Sequence, residues 1–327
     1  MKIAFFEAKP YDLEYFNASN GAFGFQISYF KERLTKETVS LAEGHDVVCV
    51  FVNNKITAEI IEEICKRGVK LIALRSAGYN HVDLKAAHGK IKVVYVPRYS
   101  PYSVAEFGVG MMLCLNRKIH HAYLRTRENN FTISGLIGFD MHGKTAGVIG
   151  CGKIGSVMVQ ILQGFGMRVI GYDIDRMLVE KAGCTFTDLA TLYKSSDIIT
   201  LHCPLTPDSE HMINSHSLSQ MKDGVMIINT GRGGLIDAAA LIDALKSQKV
   251  GAAGLDVYEE ESRYFYEDFS SSFISDDVLA RLQTFPNVLI TSHQAFFTRE
   301  AMTNIAQTTL QNIQSFTKQQ PLENEVM

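Results

Sequence analysis

Short apolar runs of strand length recur along the first hundred residues, separated by mixed stretches with helical spacing. Residues 3–6 (IAFF), 47–52 (VVCVFV), 71–74 (LIAL) and 93–96 (VVYV) read as buried strands, and 58–65 as a helix between two of them. Buried strands alternating with helices predict a parallel sheet. The pattern resumes from 144 to about 295, with strands expected at 146–149, 168–172, 198–201, 225–229, 251–255 and 288–291. Between the two regions, Pro97 and Pro101 fix extended backbone and mark a boundary. Residues 102–115 (YSVAEFGVGMMLCL) follow as a largely apolar helix, wide enough in its apolar surface to need two neighbours. It is expected to cross between domains and to meet a partner subunit. The charged stretch 116–130 and the loop to His142 read as a surface arm, without chemistry for His120, His121 or His142. A last helix, 299–316, carries Ile305, Leu310, Ile313 and Phe316 on its apolar positions and is expected to return to the first region. The fold class is therefore α/β, with two domains: 1–99 plus 297–327, and 100–296.

The densest signal is 145–173, TAGVIGCGKIGSVMVQILQGFGMRVIGYD. A strand leads into Gly150-Cys-Gly152-Lys153-Ile154-Gly155, a helical stretch at 157–165 follows, and a second strand ends at Asp173. Gly150 permits the sharp turn, Gly152 lets a pyrophosphate approach the backbone, and Gly155 lets the helix lie close to the sheet. The phosphate would sit at the helix N-terminus, where free N–H groups and the dipole favour negative charge. Asp173 suits a ribose diol and repels a 2′-phosphate, so NAD is expected rather than NADP.

Composition narrows the classes. The chain has 327 residues, 46% hydrophobic and 20% charged, which fits about two ordinary globular domains. A net charge of −3 offers no basic field for nucleic acid or an anionic membrane. The N-terminal apolar run is four residues long and meets Glu7, so it reads as a strand and not a signal peptide. The cysteines at 49, 65, 114, 151, 184 and 203 form no metal-like spacing. No metal is expected, and reduced thiols in a cytoplasmic protein are.

Four further motifs follow strands, where open α/β sheets bind ligands. Ser76-Ala77-Gly78 could cradle a small anion with its backbone or be a plain turn before a helix. His202-Cys203-Pro204 would border a ribose or nicotinamide. Asn229-Thr230-Gly231-Arg232-Gly233-Gly234 is glycine-dense, and its one guanidinium can grip a carboxylate through two N–H groups. The alternative is a surface arginine paired with Asp237. Asp256-Val-Tyr-Glu259-Glu260-Glu261 precedes Ser292-His293-Gln294-Ala295-Phe296. A carboxylate beside a histidine stabilises its imidazolium form, which suits proton donation to a carbonyl oxygen. On spacing alone His293 is better read as a structural histidine at a strand end, and three successive glutamates as a solvated face.

Taken together, GCGKIG, HCPLT, NTGRG, GLDVYEEE and SHQAFF resemble the D-isomer-specific 2-hydroxyacid dehydrogenase family over nearly the whole chain. RSAGYNHVD and VPRYSPYSVAE resemble above all its bacterial fermentative D-lactate dehydrogenases. The resemblance implies two Rossmann-like or flavodoxin-like domains with a cleft between them, the first binding substrate and the second NAD. Arg232 would bind the substrate carboxylate, His293 would be the acid/base, and Glu261 its acidic partner. The 76–78 backbone would help hold the carboxylate, with Tyr99 and Phe296 bordering the side-chain pocket. Lys153 and Ile154 would contact the pyrophosphate and Asp173 the adenine ribose. Cys203, Pro204, Thr230, Gly231 and Asp256 would line the nicotinamide half. Two positions depart from the family: Phe107 replaces a common His (AEF for AEH), and Gly231 a common Ser.

The activity so implied is reversible reduction of pyruvate to D-lactate by NADH in a cytoplasmic homodimer or homotetramer assembled through 100–142. The rivals are a relative acting on hydroxypyruvate, glyoxylate or a bulkier 2-oxo acid, and a non-catalytic NAD-sensing protein on the same fold. Glu261 argues against a formate dehydrogenase, which pairs its histidine with glutamine. Phosphoglycerate dehydrogenases often carry a C-terminal regulatory domain, which is not expected here.

Overall fold

The computed structural model describes residues 1–326. They form two compact units, 1–100 with 297–326, and Pro101–Phe296.

In the first unit, β1 (Lys2–Phe5), α1 (Pro10–Asn20), β2 (Gln26–Tyr29), β3 (Val47–Val50), α2 (Ala58–Lys66), β4 (Leu71–Leu74), α3 (Leu84–Ala87) and β5 (Lys92–Val94) follow in order. They build a five-stranded parallel sheet ordered β2-β1-β3-β4-β5. Strands β3 and β4 are fully buried, as runs of Val, Ile and Leu covered on both faces should be. Two elements here were not expected. β2 is an edge strand of mixed residues with no fully buried member, and α1 buries only Asp12 and Phe16. Neither offers an apolar period to read.

In the second unit, α4 (Pro101–Asn116), α5 (Ile119–Arg127), β6 (Thr145–Ile149), α6 (Lys153–Gly164), β7 (Arg168–Tyr172), α7 (Arg176–Ala182) and β8 (Thr185–Phe186) come first. They are followed by α8 (Leu189–Ser195), β9 (Ile198–Leu201), α9 (Ser215–Gln220), β10 (Val225–Asn229), α10 (Ala238–Lys246), β11 (Val250–Leu255), α11 (Asp277–Gln283) and β12 (Val288–Ile290). The seven-stranded sheet is ordered β12-β11-β10-β9-β6-β7-β8, all parallel. α4 lies wholly in this unit, where Met111, Met112 and Leu115 join the core with Met158 of α6 and Ile228 of β10. α6 begins four residues before the expected 157, because Gly152 already serves as its N-cap. The arm beyond α4 includes α5, which buries no residue.

α12 (Arg299–Thr317) returns to the first unit and packs on α1 and β4. The tail then runs antiparallel to β5, with Val326 N–H donating to Val93 O at 2.9 Å, and so covers a sheet edge.

Candidate active site

The turn after β6 is built as its glycines require. Gly150 has φ +89°, and a side chain there would overlap the backbone of Cys203. A side chain on Gly155 would run into the carbonyl oxygen of Gly150, so this glycine packs against the turn itself as well as near Val148. Gly152 differs: a Cβ there would meet nothing within 4 Å. That open side lies at the start of α6, where the N–H groups of Lys153 and Ile154 have no acceptor among the described residues. Asp173 braces the turn, one carboxylate oxygen accepting from Cys151 N–H at 2.8 Å and the other from Asp175 N–H at 3.0 Å.

β6, β9, β10, β11 and β12 are successive neighbours, so the segments that leave their C-terminal ends lie along one sheet edge. After β9, His202 Nε2 bonds Thr200 Oγ1 at 2.9 Å, and burial pushes the imidazole down to about 4. Cys203 Sγ lies 3.6 Å from Met212 Sδ, and Pro204 is exposed. After β10, Asn229 ties the loop together, receiving Gly231 N–H at 3.0 Å and donating to Arg232 O at 2.9 Å. Arg232 is half-buried and donates from Nη1 to Gly231 O at 2.8 Å. It does not pair with Asp237, whose carboxylate caps α10 through Ala240 N–H. Thr230 Oγ1 is buried with no hydrogen-bond partner, a polar atom left for a ligand.

The next two strands bring a histidine to a carboxylate. His293 Nδ1 lies 2.8 Å from Glu261 Oε1, their side chains 18% and 21% exposed. The carboxylate accepts, so Nδ1 carries the proton and Nε2 is the nitrogen left to exchange one. His293 adopts a left-handed backbone, φ +53°. Asp256 O takes its N–H at 2.7 Å, and Tyr266 Oη donates to its carbonyl at 2.8 Å. The Asp256 carboxylate, fully buried, accepts from Thr291 Oγ1 at 2.5 Å, Gln294 N–H at 2.9 Å and Ala295 N–H at 2.8 Å. Burial raises its pKa, opposed by these bonds and by His293. The other Glu261 oxygen accepts Tyr258 N–H at 3.1 Å.

Arg232, Glu261 and His293 thus follow three adjacent strands, on the same edge as the glycine turn. Phe296, buried, closes the second unit. Ser76, Ala77, Gly78 and Tyr99 belong to the first unit. After β4, Ser76 Oγ donates to Gly78 O at 2.8 Å, and the N–H groups of 76–78 have no acceptor among the described residues. Tyr99 O accepts from Asn304 Nδ2 at 2.6 Å. The three glutamates divide: Glu259 pairs with His211, Glu260 is exposed, and Glu261 meets His293. Sequence reasoning missed Tyr266 and Thr291, which hold the His293 turn and carry no motif.

A doubly wound sheet thus carries an open glycine turn, an arginine and a carboxylate-held histidine along one edge. The family model for D-isomer specific 2-hydroxyacid dehydrogenase, NAD binding domain, matches residues 109–295. The chain is 51% identical to a D-lactate dehydrogenase of Escherichia coli (strain K12), over 100% of both chains. The apo-structure of D-lactate dehydrogenase from Escherichia coli superposes with a TM-score of 0.92 at 50% identity, covering 100% of each chain. A D-lactate dehydrogenase with NAD+ from Lactobacillus jensenii gives 0.83 at 32% identity, again over 100% of each. The chain belongs to the D-isomer specific 2-hydroxyacid dehydrogenase family, and its cofactor is NAD.

Proposed function

We propose that this protein is a D-lactate dehydrogenase, reversibly reducing pyruvate to D-lactate. The observation that carries the reading is the His293–Glu261 pair at 2.8 Å, on the sheet edge that also bears the glycine turn. Gly150, Gly152, Lys153, Ile154 and Gly155 would hold the pyrophosphate and Asp173 the adenine ribose. Cys203, Pro204, Thr230, Gly231 and Asp256 would hold the nicotinamide half. When bound, NADH supplies the hydride.

Arg232 would grip the substrate carboxylate and orient the keto carbon for reduction. Phe296 would border the methyl group. His293 gives the Nε2 proton to the alkoxide oxygen as it forms, and Glu261 fixes the ring and its tautomer. Pyruvate, NADH and one proton become D-lactate and NAD+, so reduction gains as pH falls.

The test is NADH oxidation by purified protein at slightly acidic pH across pyruvate, 2-oxobutyrate, phenylpyruvate, hydroxypyruvate and glyoxylate, with chiral analysis. Pyruvate fastest, with D-lactate formed, is expected. H293Q should lower kcat/KM by about 10²–10⁴-fold without loss of fold. A bulkier acid fastest moves the assignment of Phe296. Turnover of none of the five, with NADH still bound, favours a non-catalytic NAD-sensing protein.

We also propose a homodimer or homotetramer assembled through 100–142. Tyr102, Tyr123, Leu124, Phe131, Ile133 and Ile137 are each more than half exposed there, more apolar surface than a monomer keeps in one region. Sedimentation as a monomer would refute it. A cytoplasmic location fits the six free cysteines.

A further inference from the structure

Away from His293, the same sheet edge carries a second histidine–carboxylate pair. His211 Nε2 bonds Glu259 Oε1. His211 sits between β9 and α9 with φ +48°, a conformation its surroundings must hold. Its N–H donates to Gly234 O at 2.8 Å. Ile213 N–H then donates to Leu235 O at 3.0 Å, and Asp237 N–H returns to Ile213 O at 2.9 Å. The second oxygen of Glu259 accepts Ala238 N–H at 3.4 Å, at the first residue of α10. Between these bonds Gly233 passes so close to the Tyr258 carbonyl that any side chain would overlap it. Arg232 directly precedes Gly233, and Glu261 lies two residues beyond Glu259.

One carboxylate therefore bonds the loop after β9 and the start of α10, while its own backbone abuts the loop that carries Arg232. We propose that His211 and Glu259 are positioning residues for the reaction, clasping the Arg232 loop against the segment that bears Glu261. The groups facing His211 are Glu259, Asp237 and Glu210, all acidic. The hydrogen bond to Glu259 is the largest cause of a raised imidazole pKa, so the charged clasp persists to higher pH than a free histidine allows and is lost as pH rises through that value. The side chains are 44% and 27% exposed, so the pair contributes little to global stability, and its effect belongs to local geometry.

The inference rests on the dehydrogenase reading, and its test separates the two. H211N keeps a residue that tolerates left-handed backbone, and E259Q keeps shape while removing charge. Each should raise KM for pyruvate roughly three- to tenfold, with a smaller change in kcat. The double variant should be no worse than the weaker single one, because both remove the same interaction. In a histidine Cε1–H NMR titration, E259Q should lower the His211 pKa. Unchanged KM in both variants, or additive losses in the double, would overturn the clasp. Hydrogen exchange is read in parallel: 231–236 should exchange faster in H211N than in wild type. That readout needs no turnover, so an inactive wild type would sink the dehydrogenase reading while exchange still decides the clasp, unchanged exchange refuting it.

Discussion

The two sheets place their first strands alike and treat the turn after them in opposite ways. β1 lies between β2 and β3, and β6 between β7 and β9, so each is where the strand order reverses and where such sheets bind ligands. After β6 the turn is glycine with an open side at Gly152. After β1 it is Glu7-Ala8-Lys9-Pro10. Glu7 is left-handed, φ +55°, and 2% exposed. Its carboxylate is held by Arg33 at 3.1 Å, Asn54 at 2.8 Å and Asn53 at 3.3 Å. Beside it Arg75 donates to Glu7 O at 3.0 Å, meets Asp12 at 3.5 Å, and lies over the rings of Phe5 and Phe51. The first turn is filled by the chain's own charges, and a carboxylate there repels a phosphate. The second is open at Gly152, where a Cβ would meet nothing within 4 Å. One topology supplies a structural ionic cluster in one unit and a cofactor site in the other. Side-chain chemistry at a few positions makes the difference.

The sharpest way to break the comparison is to unbalance the filled turn. R75M removes the guanidinium that meets Asp12, which stays buried. Burial already raises the Asp12 pKa, and Arg75 is the main opposing influence. R75M should cost about 3–5 kcal/mol, the range for a buried pair stripped of one partner. An acid with a raised folded pKa destabilises as pH rises through that value, so the R75M deficit should shrink on acidification. R75M/D12N should recover most of the loss. Chemical denaturation at two pH values checks all three, and a deficit independent of pH would show that Arg75 acts by packing alone.

The open turn is tested by filling it. G152V places a branched side chain at a position where a Cβ would meet nothing within 4 Å. The melting temperature should stay within about 2 °C of wild type, since surface changes that meet nothing are nearly neutral. NADH binding should weaken on the order of 100-fold, because the pyrophosphate loses its approach to the backbone. NADH fluorescence titration and calorimetry together decide it. Intact NADH binding in G152V would place the pyrophosphate elsewhere.

How much of this could be read beforehand follows from where each interaction is encoded. The strands at 71–74 and 225–229 were legible because every residue in them is buried, and burial on both faces writes a continuous apolar run. β2 and the two-residue β8 were not, since edge positions require little of their side chains. The glycine turn was legible from spacing, but the contact of Gly155 with Gly150 O was not, because it depends on the path of the turn. Spacing could not divide three successive glutamates among His211, solvent and His293. Only the resemblance pointed to Glu261. Asp256 reaches Thr291, Gln294 and Ala295 across 35 to 39 residues, and only the pairing of β11 with β12 brings them together.

His202 carries the smallest effect and the finest comparison, because it joins the open turn to its neighbour. Its N–H donates to Ile149 O at 2.7 Å, immediately before Gly150. Its ring bonds Thr200, whose side chain is buried, and burial brings the imidazole down to about 4. An unfolded histidine titrates near 6.5, so between those values the unfolded chain binds a proton that the folded one refuses. Stability is then full above about pH 6.5 and falls as pH drops toward 4. The residue is partly exposed, so the loss should be on the order of 2 kcal/mol and not the full linkage value. H202Q, which keeps a polar partner for Thr200 and cannot titrate, should flatten the stability curve across this window. The pH response of the first unit's filled turn should come from Asp12, with the opposite sign. Equal acid sensitivity in wild type and H202Q would remove His202 as the cause.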